Sequence, residues 1–160
     1  SLVALADAYH ALKAERASYA IVGSATIDSS PWSYISFSKA RMLSPQGRCK
    51  TLDQNANGFV PGEGVMTLLL TTRELANKYN HRVYGELKGV AVNHCGHGKT
   101  ISAPNANAQA DLVKAALQEA SIKPEQISYI EMHGTGTNLG DPVEIEALTR
   151  IFRSNSVEFP

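Results

Sequence analysis

The chain has 160 residues, with 15 basic and 15 acidic side chains and no formal net charge, so it carries no electrostatic footprint for nucleic acid or for an anionic membrane surface. Its longest apolar run, Val65 to Leu70, is strand-sized and far short of a membrane span. Its two cysteines, Cys49 and Cys95, make no disulfide framework, and a reducing, cytoplasmic setting is expected.

Leu2, Leu5, Tyr9 and Leu12 fall on one helical face, and Tyr19 to Ser24 reads as a short apolar strand. Ser29-Ser30-Pro31-Trp32 opens a loop before a helix expected near Tyr34 to Leu43. From Ser44 to Gly58 the composition turns to Pro, Gly, Gln and Asn, as in an ordered surface connection inside one domain. A buried strand, Val65 to Thr71, and a short helix, Arg73 to Tyr79, follow. Val83 to Asn93 reads as a long strand whose Gly85 and Gly89 predict close packing or a bulge. Leu112, Val113, Ala116, Leu117 and Ala120 share a face of the next helix, which ends by Ser121 to Pro124. Strands alternating with helices predict an α/β chain with a largely parallel sheet and helices packed against it.

The most informative stretch comes last. Ile127 to Met132 is an apolar strand, and it delivers His133-Gly134-Thr135-Gly136-Thr137 as a glycine-rich turn. Such a turn holds an imidazole at the carboxyl end of a strand, where α/β proteins place ligands. Gly134, Gly136 and Gly140 let the chain turn sharply and leave Thr135 and Thr137 as the polar groups facing a ligand. Asp141 is expected as the N-cap of the following helix, Pro142 at its first position and Glu144 at its third, closing a capping box. Val143, Ala147, Leu148, Ile151 and Phe152 recur at helical spacing as one buried stripe.

The motif alone leaves alternatives open. A dinucleotide-binding turn wants G-x-G-x-x-G and an acid about twenty residues on; here the third glycine arrives one residue late and that acid is missing. A purely structural strand-to-helix turn with a hydrogen-bonded histidine is the plainer reading. Elsewhere, Cys49 between Arg48 and Lys50 reads as part of a solvated basic loop rather than as a nucleophile. His94-Cys95-Gly96-His97 has two histidines and a thiol, but a structural zinc site needs four ligands in paired groups, so no metal is expected.

The run His133-Gly134-Thr135-Gly136-Thr137 resembles the motif of β-ketoacyl synthases, particularly the ketosynthase domains of modular polyketide synthases. Cys49 to Gly64, with Asp53, Asn57 and Glu63, is similar to the segment between the two halves of that family, which usually has Asp where this chain has Asn57. Asn93-His94 followed by Pro104-Asn105-Ala106-Asn107-Ala108-Gln109 resembles ketosynthases of assembly lines served by a separate acyltransferase. Ser1 to Leu5 resembles the helix that follows the family's nucleophilic cysteine. The resemblance covers nearly the whole chain.

That resemblance implies a thiolase-like layered fold, helix and sheet layers alternating, incomplete in this chain. Residues 1–82 would close the first half and 83–160 open the second. The nucleophilic cysteine would lie before Ser1 and a second histidine, in a Lys-Ser-Asn segment, after Pro160, so the chain by itself is expected to be inactive, with uncovered sheet edges and helix faces.

The implied activity is decarboxylative Claisen condensation of a malonyl-type thioester with an acyl-cysteine. His133, kept neutral by burial in a water-poor pocket, would donate a hydrogen bond to the thioester oxygen as it gains charge. Thr135 and Thr137 would hydrogen-bond the phosphopantetheine arm of an acyl carrier protein, or else satisfy backbone groups of the turn. Asp141 and Glu144 are supporting residues, as helix caps and, in the family, as groups that position the lysine of the Lys-Ser-Asn segment. Asp53, Asn57 and Glu63 read as structural hydrogen-bonding residues, and His94 lies in a loop at the entrance to the site. No cofactor is expected beyond the carrier's phosphopantetheine, and a homodimer built partly on the strand Tyr19 to Ser24 is implied. The competing functions are a fatty-acid 3-oxoacyl-carrier-protein synthase and a non-elongating domain that only binds or passes on acyl chains.

Overall fold

The computed structural model describes residues 1–96 and 103–153, and several of its helices end where a side chain or a left-handed residue takes over the backbone hydrogen bonds. Helix α1 (Leu2–Lys13) stops just before Glu15, whose φ is 56°. Helix α2 (Trp32–Lys39) starts directly after Pro31, earlier than the Tyr34 to Leu43 expected, because proline's fixed φ suits the entry to a helix. It also stops earlier, where Arg41 turns the chain at φ 54°, and Leu43 joins Phe59 in an isolated parallel bridge. Helix α3 (Arg73–Lys78) is capped by the Thr72 hydroxyl, which accepts from the Leu75 N–H at 3.3 Å. Helix α4 (Ala106–Ala120) is capped by the Asn105 side-chain oxygen, which accepts from the N–H groups of Asn107 and Ala108 at 3.0 and 3.3 Å, and it ends on left-handed Ser121. Helix α5 (Gly140–Phe152) follows a short 3₁₀ turn at Pro124–Gln126 and the glycine-rich turn.

Strands β1 (Tyr19–Thr26) and β2 (Gly64–Thr71) pair antiparallel, with Tyr19 opposite Thr71 and Thr26 opposite Gly64. This corrects the expected parallel sheet: among the described residues β1 and β2 form the sheet, and the long connection between them brings the chain back in the opposite direction. Neither Val83 to Asn93 nor Ile127 to Met132 joins a backbone ladder among those residues. A strand exists only against a hydrogen-bonded neighbour, and the described residues supply none to either segment.

Packing follows two groups of elements. Along β1, Ala20, Val22 and Ser24 are less exposed than the residues between them, the two-residue period of a half-covered strand. Helix α1 lies against β1 and β2, and Ala6, Leu12 and Val22 are buried there. The expected burial of β2 does not hold, since Val65, Met66, Leu68 and Leu69 are between 44% and 73% exposed. Helix α1 shields only part of the sheet, and no other described helix packs on β2 to comparable extent. In the second group α4 packs on α5. Ala147 is 1% exposed, and its stripe partners Val143, Leu148, Ile151 and Phe152 are half-buried, as the helical spacing predicts.

Tyr9 and Lys13 tie the groups together. The Tyr9 hydroxyl lies 3.2 Å from both the Lys88 carbonyl and the Glu119 carboxylate, and the Lys13 ammonium donates to the same carboxylate at 2.5 Å. The hydrogen bond from Lys13 holds Glu119 below the ordinary carboxylate range. Close packing at Gly89 is also present: a Cβ there would stand 2.6 Å from the Ala120 nitrogen and 2.8 Å from the Ala116 carbonyl oxygen, while one at Gly85 meets nothing within 4 Å.

Two outcomes are expected. In a complete domain carrying this sequence, Gly89→Ala pushes α4 away and costs about 1–3 kcal/mol in denaturant unfolding, whereas Gly85→Ala stays within about 1 kcal/mol of the parent. The 160-residue chain on its own, with so much apolar strand exposed, melts without a cooperative calorimetric transition.

Candidate active site

The turn His133 to Thr137 is held by its own following helix and by a distant connection. Glu144 reaches back out of α5: its Oε1 accepts the His133 N–H at 2.7 Å and its Oε2 the Gly134 N–H at 3.0 Å. Asp141 is 3% exposed. Its Oδ1 accepts the Gly136 N–H at 3.0 Å and its Oδ2 the Leu52 N–H at 2.9 Å. The Gly58 N–H completes the arrangement by donating to the Gly136 carbonyl at 2.9 Å.

These bonds revise the expected capping. Helix α5 begins at Gly140, so Asp141 and Glu144 lie inside it, and neither caps it. Thr137 does that work: its hydroxyl accepts the Gly140 N–H at 3.1 Å and its carbonyl the Asp141 N–H at 3.3 Å. Pro142, at the third helical position rather than the first, is tolerated because the first-turn N–H groups have no intrahelical acceptor. Gly134 and Gly136 take positive φ values of 51° and 71°, as the turn requires, while Gly140 is simply helical. At Gly136 a Cβ would also stand 2.7 Å from the Lys50 nitrogen, so the connection can close over the turn only because that atom is missing.

The imidazole of His133 is exposed and makes no hydrogen bond among the described residues. Its expected burial is therefore not found here, for no described element crosses over the ring. Thr135 and Thr137 are half-buried, their hydroxyl oxygens 3.2 Å apart. Thr137 thus has the backbone-satisfying role as well as a place beside the histidine. The turn and the first part of α5 bring His133, Thr135, Thr137, Asp141 and Glu144 together.

The remaining candidates lie in the surrounding loops. Asp53 accepts the Asn55 N–H at 2.7 Å, Glu63 accepts the Asp28 N–H at 2.7 Å, and Asn57 bridges Ser44 and Gln46 at 3.2 and 2.6 Å. Asn57 acts there as donor and acceptor at once, which an aspartate cannot do when ionised. Cys49 accepts the Val60 N–H at 3.2 Å and is exposed, like Cys95. His94 accepts the Gly96 N–H at 2.9 Å through Nδ1, while His97 lies outside the described residues. No group of three or more His, Cys, Asp or Glu suited to a metal occurs among the described residues. An open depression of about 500 Å³, lined by polar residues including Gln46, Asp53, Asn57 and Asn138, sits beside the connection, and His133 is not part of its lining. Thr51, Leu52 and Gly58 were not foreseen from the sequence, where they look like ordinary members of a polar connection.

Family models for the β-ketoacyl synthase N-terminal and C-terminal domains match residues 1–76 and 84–159 in succession. The chain belongs to the β-ketoacyl synthase family. It is 42% identical over 157 residues to the polyketide synthase PksN of Bacillus subtilis, covering 98% of this chain and 3% of that protein. It is 42% identical over 152 residues to polyketide synthase ThaG of Burkholderia thailandensis, again 3% of the relative's length. The ketosynthase from module 6 of the bacillaene synthase of B. subtilis superposes with a TM-score of 0.95 at 42% identity, covering 99% of this chain and 29% of that one. The oxazolomycin ketosynthase domain OzmH KS7 of Streptomyces albus gives 0.95 at 39% identity, covering 99% and 28%. The fold is accordingly α/β in the thiolase-like layered class, and this β-ketoacyl synthase chain spans under a third of the solved domains it matches. Among the described residues no helix is long and apolar enough to cross a membrane.

In a complete β-ketoacyl synthase domain, Asp141→Asn replaces an acceptor by a donor between two backbone N–H groups, one of them buried. Denaturant unfolding is expected to show a loss of about 1–3 kcal/mol.

Proposed function

We propose that this chain is the central part of a ketosynthase that elongates polyketides by decarboxylative Claisen condensation. In the complete domain, a cysteine thiolate preceding Ser1 takes the acyl group from a carrier-protein thioester. A malonyl-type extender, delivered on the phosphopantetheine of an acyl carrier protein, then loses carbon dioxide. The electron pair of the broken C–C bond forms an enolate, whose carbon attacks the acyl-cysteine carbonyl and expels the thiolate. Negative charge accumulates meanwhile on the extender's thioester oxygen, and His133 donates its ring N–H there, together with a second histidine beyond Pro160.

The single observation that carries this reading is the treatment of His133 itself. Its backbone is pinned by Glu144 while its ring, at the rim of the turn, makes no hydrogen bond among the described residues, in a chain matched almost end to end by β-ketoacyl synthase models. A donor whose backbone is fixed and whose ring N–H is not engaged among the described residues is available to an oxyanion that exists only during reaction. The missing part of the domain supplies the cover that excludes water. The Thr135 hydroxyl, which has unused acceptor capacity beside Thr137, binds the pantetheine arm, with Thr137 assisting. Asp141 and Glu144 support the turn and, through it, the lysine of the segment that carries the second histidine. The first half of the domain ends near residue 82, the complete domain dimerises partly through β1, and it works in the cytoplasm. Chemistry shared with fatty-acid synthases does not decide the pathway; the relatives at about 40% identity are polyketide synthases.

In the complete domain His133→Ala is expected to lower condensation by about 10²- to 10³-fold, the usual effect of removing an oxyanion donor, while acylation of the cysteine continues. Intact-protein mass spectrometry follows acylation, and product formation after a malonyl-carrier chase follows condensation. Condensation at the parent rate removes His133 from the mechanism.

A further inference from the structure

We infer that Thr51 is a positioning residue for His133, acting from the connection through the backbone of the turn. The inference rests on the condensation reading above and adds a residue to it. Because the ring of His133 makes no hydrogen bond among the described residues, its aim depends on the peptide groups on either side. Glu144 holds the first two of these through the His133 and Gly134 N–H groups. The third belongs to Gly134 and Thr135, and its carbonyl accepts the Thr51 hydroxyl at 2.5 Å. Three successive peptide groups are thereby fixed by two side chains approaching from different segments.

Thr51 is itself presented with care. The next residue, Leu52, has a left-handed backbone with φ 59° although it carries a branched side chain, a conformation that persists only where the surroundings enforce it. The enforcing bond is the Leu52 N–H to the buried Asp141 carboxylate at 2.9 Å. Helix α5 thus anchors both clamps, directly through Glu144 and indirectly through Asp141, Leu52 and Thr51. The Thr51 methyl also fills the place beside Gly134, 2.7 Å from where a Cβ would stand, so the hydroxyl and the methyl both face the turn. Removing the hydroxyl frees the Gly134 carbonyl, and rotation of that glycine peptide swings the preceding ring away from the oxygen it serves.

The test uses the complete domain with Thr51→Val, Thr51→Ser and, as reference, His133→Ala. Thr51→Val keeps the shape and loses the donor; condensation kcat is expected to fall on the order of 10- to 10²-fold, as for a small misplacement of a catalytic group. Acylation of the cysteine and the unfolding midpoint stay near the parent values, and Thr51→Ser restores condensation. The inference is overturned if Thr51→Val condenses within about twofold of the parent while His133→Ala does not. It is equally overturned if acylation, condensation and the unfolding midpoint all fall together, because that is the signature of general damage. Normal condensation by His133→Ala is a separate result, which removes the mechanism on which the positioning role depends.

Discussion

The Asp141 carboxylate joins three pieces of chain, and the geometry of the site depends on it. It belongs to α5, it takes the N–H of Gly136 from the turn, and it takes the N–H of Leu52 from the connection. Hydrogen bonds to an ionised acceptor are roughly twice as strong as neutral ones, and at 3% exposure water cannot readily replace them. The turn, the start of the helix and the connection are therefore tied to one another at this carboxylate. The His133 ring makes no hydrogen bond among the described residues, so no such bond there competes with the developing charge.

Helical spacing was the most legible part of the sequence. The stripe from Val143 to Phe152 and the face of α4 are both found, because the period of a helix depends on the helix alone. The ends of α2 were not legible, since Pro31 reads equally as a loop residue and as an entry to a helix. Strand burial was less legible still. The run Val65 to Leu70 records that a strand is meant to be covered, but not which part of the domain covers it; in this chain α1 shields it only partly. For the same reason Val83 to Asn93 and Ile127 to Met132 have strand-like sequences without ladders among the described residues.

At the site, the histidine turn was readable because glycine spacing and one imidazole are local signals. The jobs of its acids were not. Capping rules consider only the nearest backbone groups, whereas Asp141 found its second donor 89 positions away, at Leu52, and Glu144 bent back 11 positions, to His133. With both acids engaged elsewhere, the Thr137 hydroxyl takes the Gly140 N–H. The two readings of Thr137, backbone partner and ligand group, are compatible, because a hydroxyl has one donor and two acceptor sites and the Gly140 N–H uses one acceptor.

The positions of these partners have a consequence for how the site forms. Lys50, Thr51, Leu52 and Gly58 fall in the segment matched by the N-terminal family model, and His133, Gly136, Asp141 and Glu144 in the segment matched by the C-terminal one. A contact between such distant stretches carries the entropic cost of closing the loop between them. Neither segment can hold the turn alone: without the connection, the Gly134 and Gly136 carbonyls lose their donors and one oxygen of Asp141 loses its N–H. The histidine is thereby placed correctly only when both segments are docked, which ties the geometry of the reacting group to the assembly of the whole domain rather than to the motif that carries it.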